Sequence, residues 1–243
     1  MPLPKIATPT YELVLPSTGK TIKYRPFLVK EEKVLILALD SQDPKQVTLA
    51  IKSVLKDCIL TKGIKVEELP SFDIEYIFLN VRGKSVGESI DLVVTCSDDG
   101  ETEVPVKIYI DEIQVQKDES HSNEIKLDDN VFVKMRYPSL DQFIKNNFDF
   151  SQSDESLSTI EKSFEIIADC IEMIFSGEES WAAADCTKKE LIEFIESMDS
   201  KQFKLIENFF ETMPKLSHTL KVTNPKTKVE NTVVLEGLTS FFG

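Results

Sequence analysis

The sequence predicts an α+β protein in which short β-hairpins combine with amphipathic helices, the C-terminal half being helical and ending in a hairpin. Three observations predict it. Turn-forming clusters separate short alternating segments near the beginning, the middle and the end of the chain. Apolar residues recur at helical spacing between those segments. The 243 residues are 41% hydrophobic, and 8 Gly with 11 Pro leave little room for low complexity, so the chain has enough apolar mass to bury a core. That length suits one large domain or two small ones.

Taken in order, Tyr11 to Leu15 and Thr21 to Phe27 are strand-like and flank Pro16-Ser17-Thr18-Gly19-Lys20, a turn whose glycine accommodates positive φ. Lys30 to Leu39 turns helical. Asp43-Pro44 then supplies an N-cap and a proline at the first helical position, and Val47, Ile51, Val54 and Cys58 form one apolar helix face. Ser71 to Val81 is a further helix ending towards Gly83 and Gly87. Ile90 to Cys96, the turn Ser97-Asp98-Asp99-Gly100 and Thr102 to Ile110 make a second hairpin, and Gln116 to Asn123 is a polar loop.

Ile125 to Leu127 and Val131 to Met135 read as a strand pair, with a short helix from Pro138 to Lys145 behind them. The stretch 146–156 shows the least pattern and is the natural boundary, giving an α+β region with hairpins over 1–147 and a helical region with a terminal hairpin over 148–243. Ile160, Phe164, Ile167, Ile171 and Ile174 predict one long helix stopped by Gly177. Thr187-Lys-Lys-Glu190 is a capping box for the next helix, and Ser200 caps the one carrying Phe203, Ile206, Phe209 and Phe210. The last hairpin runs from Leu220 to Asn224 and from Thr232 to Leu235. A shift of 128 residues lays Leu92, Val94, Cys96, Val104 and Val106 on Leu220, Val222, Asn224, Thr232 and Val234, the pattern of an internal duplication.

Charge narrows the function. The formal net charge is −14, with 11 acids against 3 lysines over Ser97 to Asn130 and 14 against 3 over Phe148 to Ser200. Nucleic acid and anionic membranes are disfavoured partners, because repulsion precedes any specific contact; basic or neutral protein surfaces are favoured, and the mildly basic remainder of the chain beside the two acidic stretches also allows self-association. No secretory leader is visible at Met1-Pro-Leu-Pro-Lys5, and no apolar stretch approaches the roughly 18 residues of a membrane span. Cys58, Cys96, Cys170 and Cys186 lie far apart, as reduced, packed thiols do.

Catalytic motifs fail on spacing. Gly19-Lys20-Thr21 and Gly83-Lys84-Ser85 lack the earlier glycine of a phosphate-binding loop, where Val14 and Phe78 stand instead. Neither His121 nor His218 has a nearby Cys or Ser in a nucleophile setting, pairs such as Glu193 and Glu196 read as solvated surface, and Asp98-Asp99-Gly100 lacks the remaining ligands of a calcium loop. No cofactor is expected.

Ile125-Lys-Leu-Asp-Asp-Asn-Val-Phe-Val-Lys-Met-Arg-Tyr-Pro-Ser139, the helix pair from Thr187 to Pro214 and the closing Leu235-Glu-Gly-Leu-Thr-Ser-Phe-Phe242 resemble the baseplate hub subunit and hub-assembly family of contractile-tailed, T-even-type bacteriophages. The similarity runs from about Pro9 to the C-terminus. It implies a non-enzymatic component of the tail baseplate hub, acting through contacts with other hub or tail proteins, built in the host cytoplasm and carried in the virion tail. A transient hub-assembly chaperone absent from the virion is the alternative, and a carboxylate-based hydrolase the reading from a different class. The resemblance also implies C-x-x-C turns that clamp hairpins with zinc. This chain departs from that pattern: it keeps Cys96, with Asp99 in place of a second thiol and Asn224 and Thr227 at the matching places of the last hairpin. Packing and turn hydrogen bonds are expected to hold these hairpins. Phe241 and Phe242 are the candidate partner-binding residues, an aromatic anchor for a partner pocket.

Overall fold

The computed structural model describes residues 6–140, 142, 159–237 and 240. Within it the chain is α+β, as expected. Two compact units are present, Met1–Gln116 together with Lys215–Gly243, and Lys117–Pro214. The expected boundary between 147 and 148, the stretch 146–156, most of the short helix from Pro138 to Lys145, and Phe241 and Phe242 lie outside the described residues.

The first unit opens with the antiparallel pair β1 (Tyr11–Val14) and β2 (Thr21–Tyr24), closed by a turn in which Gly19 has φ +69°. Helix α1 (Val29–Asp40) follows. In α2 (Pro44–Cys58) the Asp43 carboxylate accepts from the Lys45 N–H, and Ile51, Val54 and Cys58 of the predicted face are buried. Helix α3 (Ser71–Val86) runs past Gly83 and stops at Gly87, whose φ of +132° is closed to a side chain. Gly83 lies inside the helix, and Ile110 Cδ1 packs 2.9 Å from where a Cβ at this position would sit. The hairpin β3 (Ser89–Thr95) and β4 (Glu103–Tyr109) and the short β5 (Gln114–Gln116) complete this part of the chain.

The second unit holds β6 (Glu124–Lys126), β7 (Val131–Met135), α4 (Thr159–Cys170), β8 (Ile171–Ser176), β9 (Glu179–Ala182), α5 (Lys188–Glu196) and α6 (Ser200–Thr212). Its sheet is antiparallel in the order β6-β7-β8-β9. Val133, Met135, Ile171, Ile206 and Phe209 are at its core.

Two sequence expectations are corrected here. The long helix ends at Cys170, and Ile171 to Ser176 form a strand between β7 and β9. Ile171 and Ile174 are both buried, so the apolar spacing was real; over so few residues it does not separate helix from strand, and pairing with Val131 to Met135 decided. Gly177, at φ +61°, makes the tight turn of the β8–β9 hairpin rather than a helix stop. The second correction concerns α6, whose cap is Asp199, not Ser200. Its carboxylate accepts from the N–H groups of Lys201 and Gln202, both at 2.8 Å, and a negative charge suits a helix N-terminus. The Thr187–Glu190 capping box forms as read.

After Pro214 the chain returns to the first unit as β10 (Lys215–Thr223) and β11 (Glu230–Glu236), in a sheet ordered β11-β10-β5. Ile90, Leu92, Val94 and Ile108 of the β3–β4 hairpin pack with Leu216, Val222 and Leu235 of the β10–β11 hairpin, and Leu79 of α3 joins them.

Candidate functional site at two facing hairpin tips

The two duplicated hairpins share more than apolar spacing. Gly100 and Lys228, 128 positions apart, both take positive φ, +68° and +65°. Their N–H groups donate to the carbonyls of Cys96 and Asn224, each at 2.9 Å. The repeat therefore extends through both turns. On the return strand the expected alignment is corrected by one residue. Val94 pairs with Val104 while Val222 pairs with Asn231, and Leu92 pairs with Val106 while Leu220 pairs with Val233. The second tip is one residue shorter, so Asn231 and Val233, not Thr232 and Val234, are the counterparts of Val104 and Val106.

The tips hold each other by hydrogen bonds. Asn224 Nδ2 donates to Asp98 Oδ1 and Asp99 Oδ2, both at 3.0 Å, and the Thr227 hydroxyl donates to Asp98. In return, Asn231 Oδ1 accepts from the Asp98 N–H and the Ser97 hydroxyl, both at 2.9 Å. The Asn224 amide is oriented by its own turn, where Oδ1 accepts from the Lys226 N–H at 2.8 Å, so its NH₂ must face the carboxylates. Asn224, Asn231 and Thr102 are buried, and buried polar groups of this kind require partners. The bonds from Asn224 and Thr227 lower the pKa of Asp98, and those from Thr102, with Asn224, lower that of Asp99. Burial, reinforced by the two carboxylates, raises that of the Cys96 thiol.

These are the positions at which the sequence resemblance implies thiolates, and their chemistry does not fit a metal ion. Asn224 and Thr227 point hydrogen-bond donors at the carboxylates, and Cys96 keeps its proton. Among the described residues no group of three or more His, Cys, Asp or Glu side chains is placed to hold a metal. Chelation is accordingly expected to leave the melting temperature unchanged; a fall with EDTA that zinc reverses would show a thiolate site after all.

The other residues singled out by sequence are dispersed. Cys58, Cys96 and Cys170 are buried and Cys186 half-buried, all as free thiols. Burial pushes Cys58 up to about 11 and Cys170 up to about 12, which leaves negligible thiolate. His121 Nδ1 lies 2.9 Å from the Thr212 hydroxyl, whose proton already goes to the Asn208 carbonyl at 2.7 Å. Nδ1 is therefore the donor, and Nε2 accepts from the Tyr137 hydroxyl at 3.0 Å. Burial lowers the His121 pKa, and the neutral ring is a satisfied part of an aromatic cluster with Tyr137 and Phe209, not a base activating a nucleophile. His218 Nδ1 lies 3.2 Å from the Glu112 carbonyl oxygen. Gly19-Lys20-Thr21 sits in a hairpin turn and Gly83-Lys84-Ser85 inside α3, so neither cradles a phosphate.

One surface went unread as a site. Helix α1 buries Leu35 and Ala38 but exposes Val29 (80%), Leu37 (59%), Ile36, Val34 and Leu39. The signal was the run Val34-Leu-Ile-Leu-Ala-Leu39, which is apolar on every side of a helix and so cannot be covered by one neighbouring core.

The family described as T4 bacteriophage base plate protein matches residues 8–243. The chain belongs to this family. No curated protein and no solved structure matches it. Membership gives this baseplate protein a structural or assembly role in the phage tail baseplate and contacts with other tail or baseplate proteins. No helix among its described residues is long and apolar enough to cross a membrane.

Proposed function

We propose that this baseplate protein is a non-enzymatic component of the hub, built into the baseplate in the host cytoplasm and retained in the virion through contacts with other hub or tail proteins. The family match over residues 8–243 supports the baseplate part of the reading, and the resemblance of residues 125–139, 187–214 and 235–242 to hub proteins supports the hub. The outward apolar face of α1 supports a role through contacts, since an exposed patch of this kind, where the run Val34 to Leu39 is apolar on every side, marks an interaction surface. The hydrolase reading requires a carboxyl group of raised pKa. Glu31, Glu67, Asp98, Asp99, Asp118 and Glu190 are instead displaced downward by the hydrogen bonds they accept, the direction opposite to that of a general acid.

Co-expression with the other hub proteins of its phage, followed by size-exclusion chromatography with light scattering, is expected to give a complex of defined mass, and virion mass spectrometry to find the chain at stoichiometric amounts. Absence from virions would assign it to transient assembly instead. Leu37→Glu, on the exposed face, is expected to weaken that complex at least tenfold while changing the melting temperature by no more than a few degrees. Phe241 and Phe242 remain a second proposed anchor, and removal of residues 238–243 is expected to reduce complex formation with the fold intact.

A further inference from the structure

A separate surface, in the second unit, joins an apolar groove to uncompensated negative charge. The groove, about 310 Å³, is walled by Val131, Ile174, Trp181, Cys186, Leu191 and Phe194. Trp181 is the only tryptophan of the chain and is 42% exposed, although an indole is the side chain with most to gain from being covered. Around it the wall-forming segments carry Glu178, Glu179 and Asp185, all exposed and none in an ion pair among the described residues. The nearby cations are committed elsewhere, Lys188 to Glu165 and Asp169 and Lys189 to Glu193. Glu190, which also borders the groove, is held by Thr187 in the α5 cap and belongs to the helix rather than to a ligand. Residues 117–214 as a whole hold 22 acids against 10 lysines and arginines.

We propose that this groove is the docking site for a partner segment that inserts a large apolar side chain against Trp181 and carries lysines or arginines on either side of it. This deepens the hub-assembly reading and rests on it. The apolar wall supplies the anchor pocket, and the acids on the segments that form it, Glu178 and Glu179 shortly before Trp181 and Asp185 next to Cys186, attract and orient a basic segment while rejecting an acidic one. A second copy of the chain is the poorer occupant, because its net charge is −14 and no part of it concentrates lysines or arginines as residues 117–214 concentrate acids.

Trp181 makes the groove its own reporter. Titrating the full chain with a synthetic Lys-Lys-Leu-Phe-Leu-Lys-Lys peptide at low salt is expected to give a saturable change in tryptophan emission, with a Kd on the order of 10–100 μM that weakens about tenfold towards 0.5 M salt. The matching peptide with glutamates for lysines, and the one with serines for the apolar residues, should leave the emission unchanged. A chain carrying Glu178→Lys, Glu179→Lys and Asp185→Lys, all at exposed positions and checked for an unchanged melt, should lose the response to the basic peptide. No saturable response, equal binding of the acidic peptide, or an undiminished response in the charge-reversed chain would each overturn the proposal. So would an emission change that follows protein concentration and a dimeric mass, which would assign the groove to self-association. Co-expression with hub proteins separates the two claims: a complex that forms equally with the charge-reversed chain defeats the groove alone, and the absence of any complex with wild type defeats the hub reading.

Discussion

Replacing Glu31 by alanine is expected to remove about 3–5 kcal/mol of stability, a large share of what a domain has. Glu31 is 3% exposed at the first turn of α1. Its carboxylate accepts from Arg25 Nη2 at 2.9 Å, from the Leu28 N–H at 2.8 Å and from Lys30 Nζ at 3.0 Å. Alanine would leave the Arg25 guanidinium, itself largely buried, without its counter-charge and the start of α1 without its acceptor. Glu31→Gln keeps the shape and one acceptor and should cost less. Burial opposes ionisation of Glu31, but the bonds from Arg25, Leu28 and Lys30 outweigh it and bring its pKa from 4.5 to about 2. A depressed folded-state pKa contributes stability above the unfolded value, so about 3 kcal/mol should be lost as pH falls from 4.5 towards 2. Urea melts of the wild type and both variants at pH 7 and pH 3, followed by circular dichroism, check this. A loss below about 1 kcal/mol at pH 7 would show that the pair does not hold the helix. Because this anchor fixes the helix that exposes Leu37, Glu31→Ala should also weaken association with partners.

Asn224→Asp is the second substitution with a large expected effect. It is nearly isosteric, yet it replaces the NH₂ that bridges Asp98 and Asp99 by a third carboxylate in a fully buried position. The expected loss at pH 7 is about 3 kcal/mol. The pH dependence should also change sign. In the wild type the Asp98 and Asp99 pKa values are lowered, so acid removes stability from the clamp. In the variant three neighbouring carboxyls repel one another, their folded-state pKa values rise, and acidification should recover stability. Melting temperatures of both proteins at pH 7 and pH 4.5 decide it. A variant as stable as the wild type at pH 7 would mean that the tips do not hold the hairpins together.

Both substitutions act on features that the sequence shows only in part. Local chemistry was legible wherever neighbours in the chain supply it. Asp43-Pro44 marked the start of α2, Thr187 with Glu190 marked α5, and Gly19 marked the first hairpin turn, because caps and turns are satisfied within a few residues. The positions that the duplication and the family resemblance singled out, Cys96, Asp99, Asn224 and Thr227, do lie on two facing tips. That Asp98 is the residue Thr227 reaches is decided by the way the two tips face each other, and that Asn231, not Thr232, answers from the return strand follows from the shorter second tip, which only the pairing register shows.

What the sequence determined by itself was the α+β class, most element positions, the free buried thiols and the family. Tertiary structure alone decided that Ile171 to Ser176 is a strand, since its apolar spacing fits either element and only its pairing with Val131 to Met135 chooses. It also decided that β10 closes beside β5, so that the last hairpin shares a core with the first part of the chain rather than with the helices that immediately precede it. The physical reason is the same in both cases: caps and turns are bonds between sequence neighbours, whereas strand pairing and core sharing join residues tens to more than a hundred positions apart, and periodicity carries no record of which distant segment completes a strand.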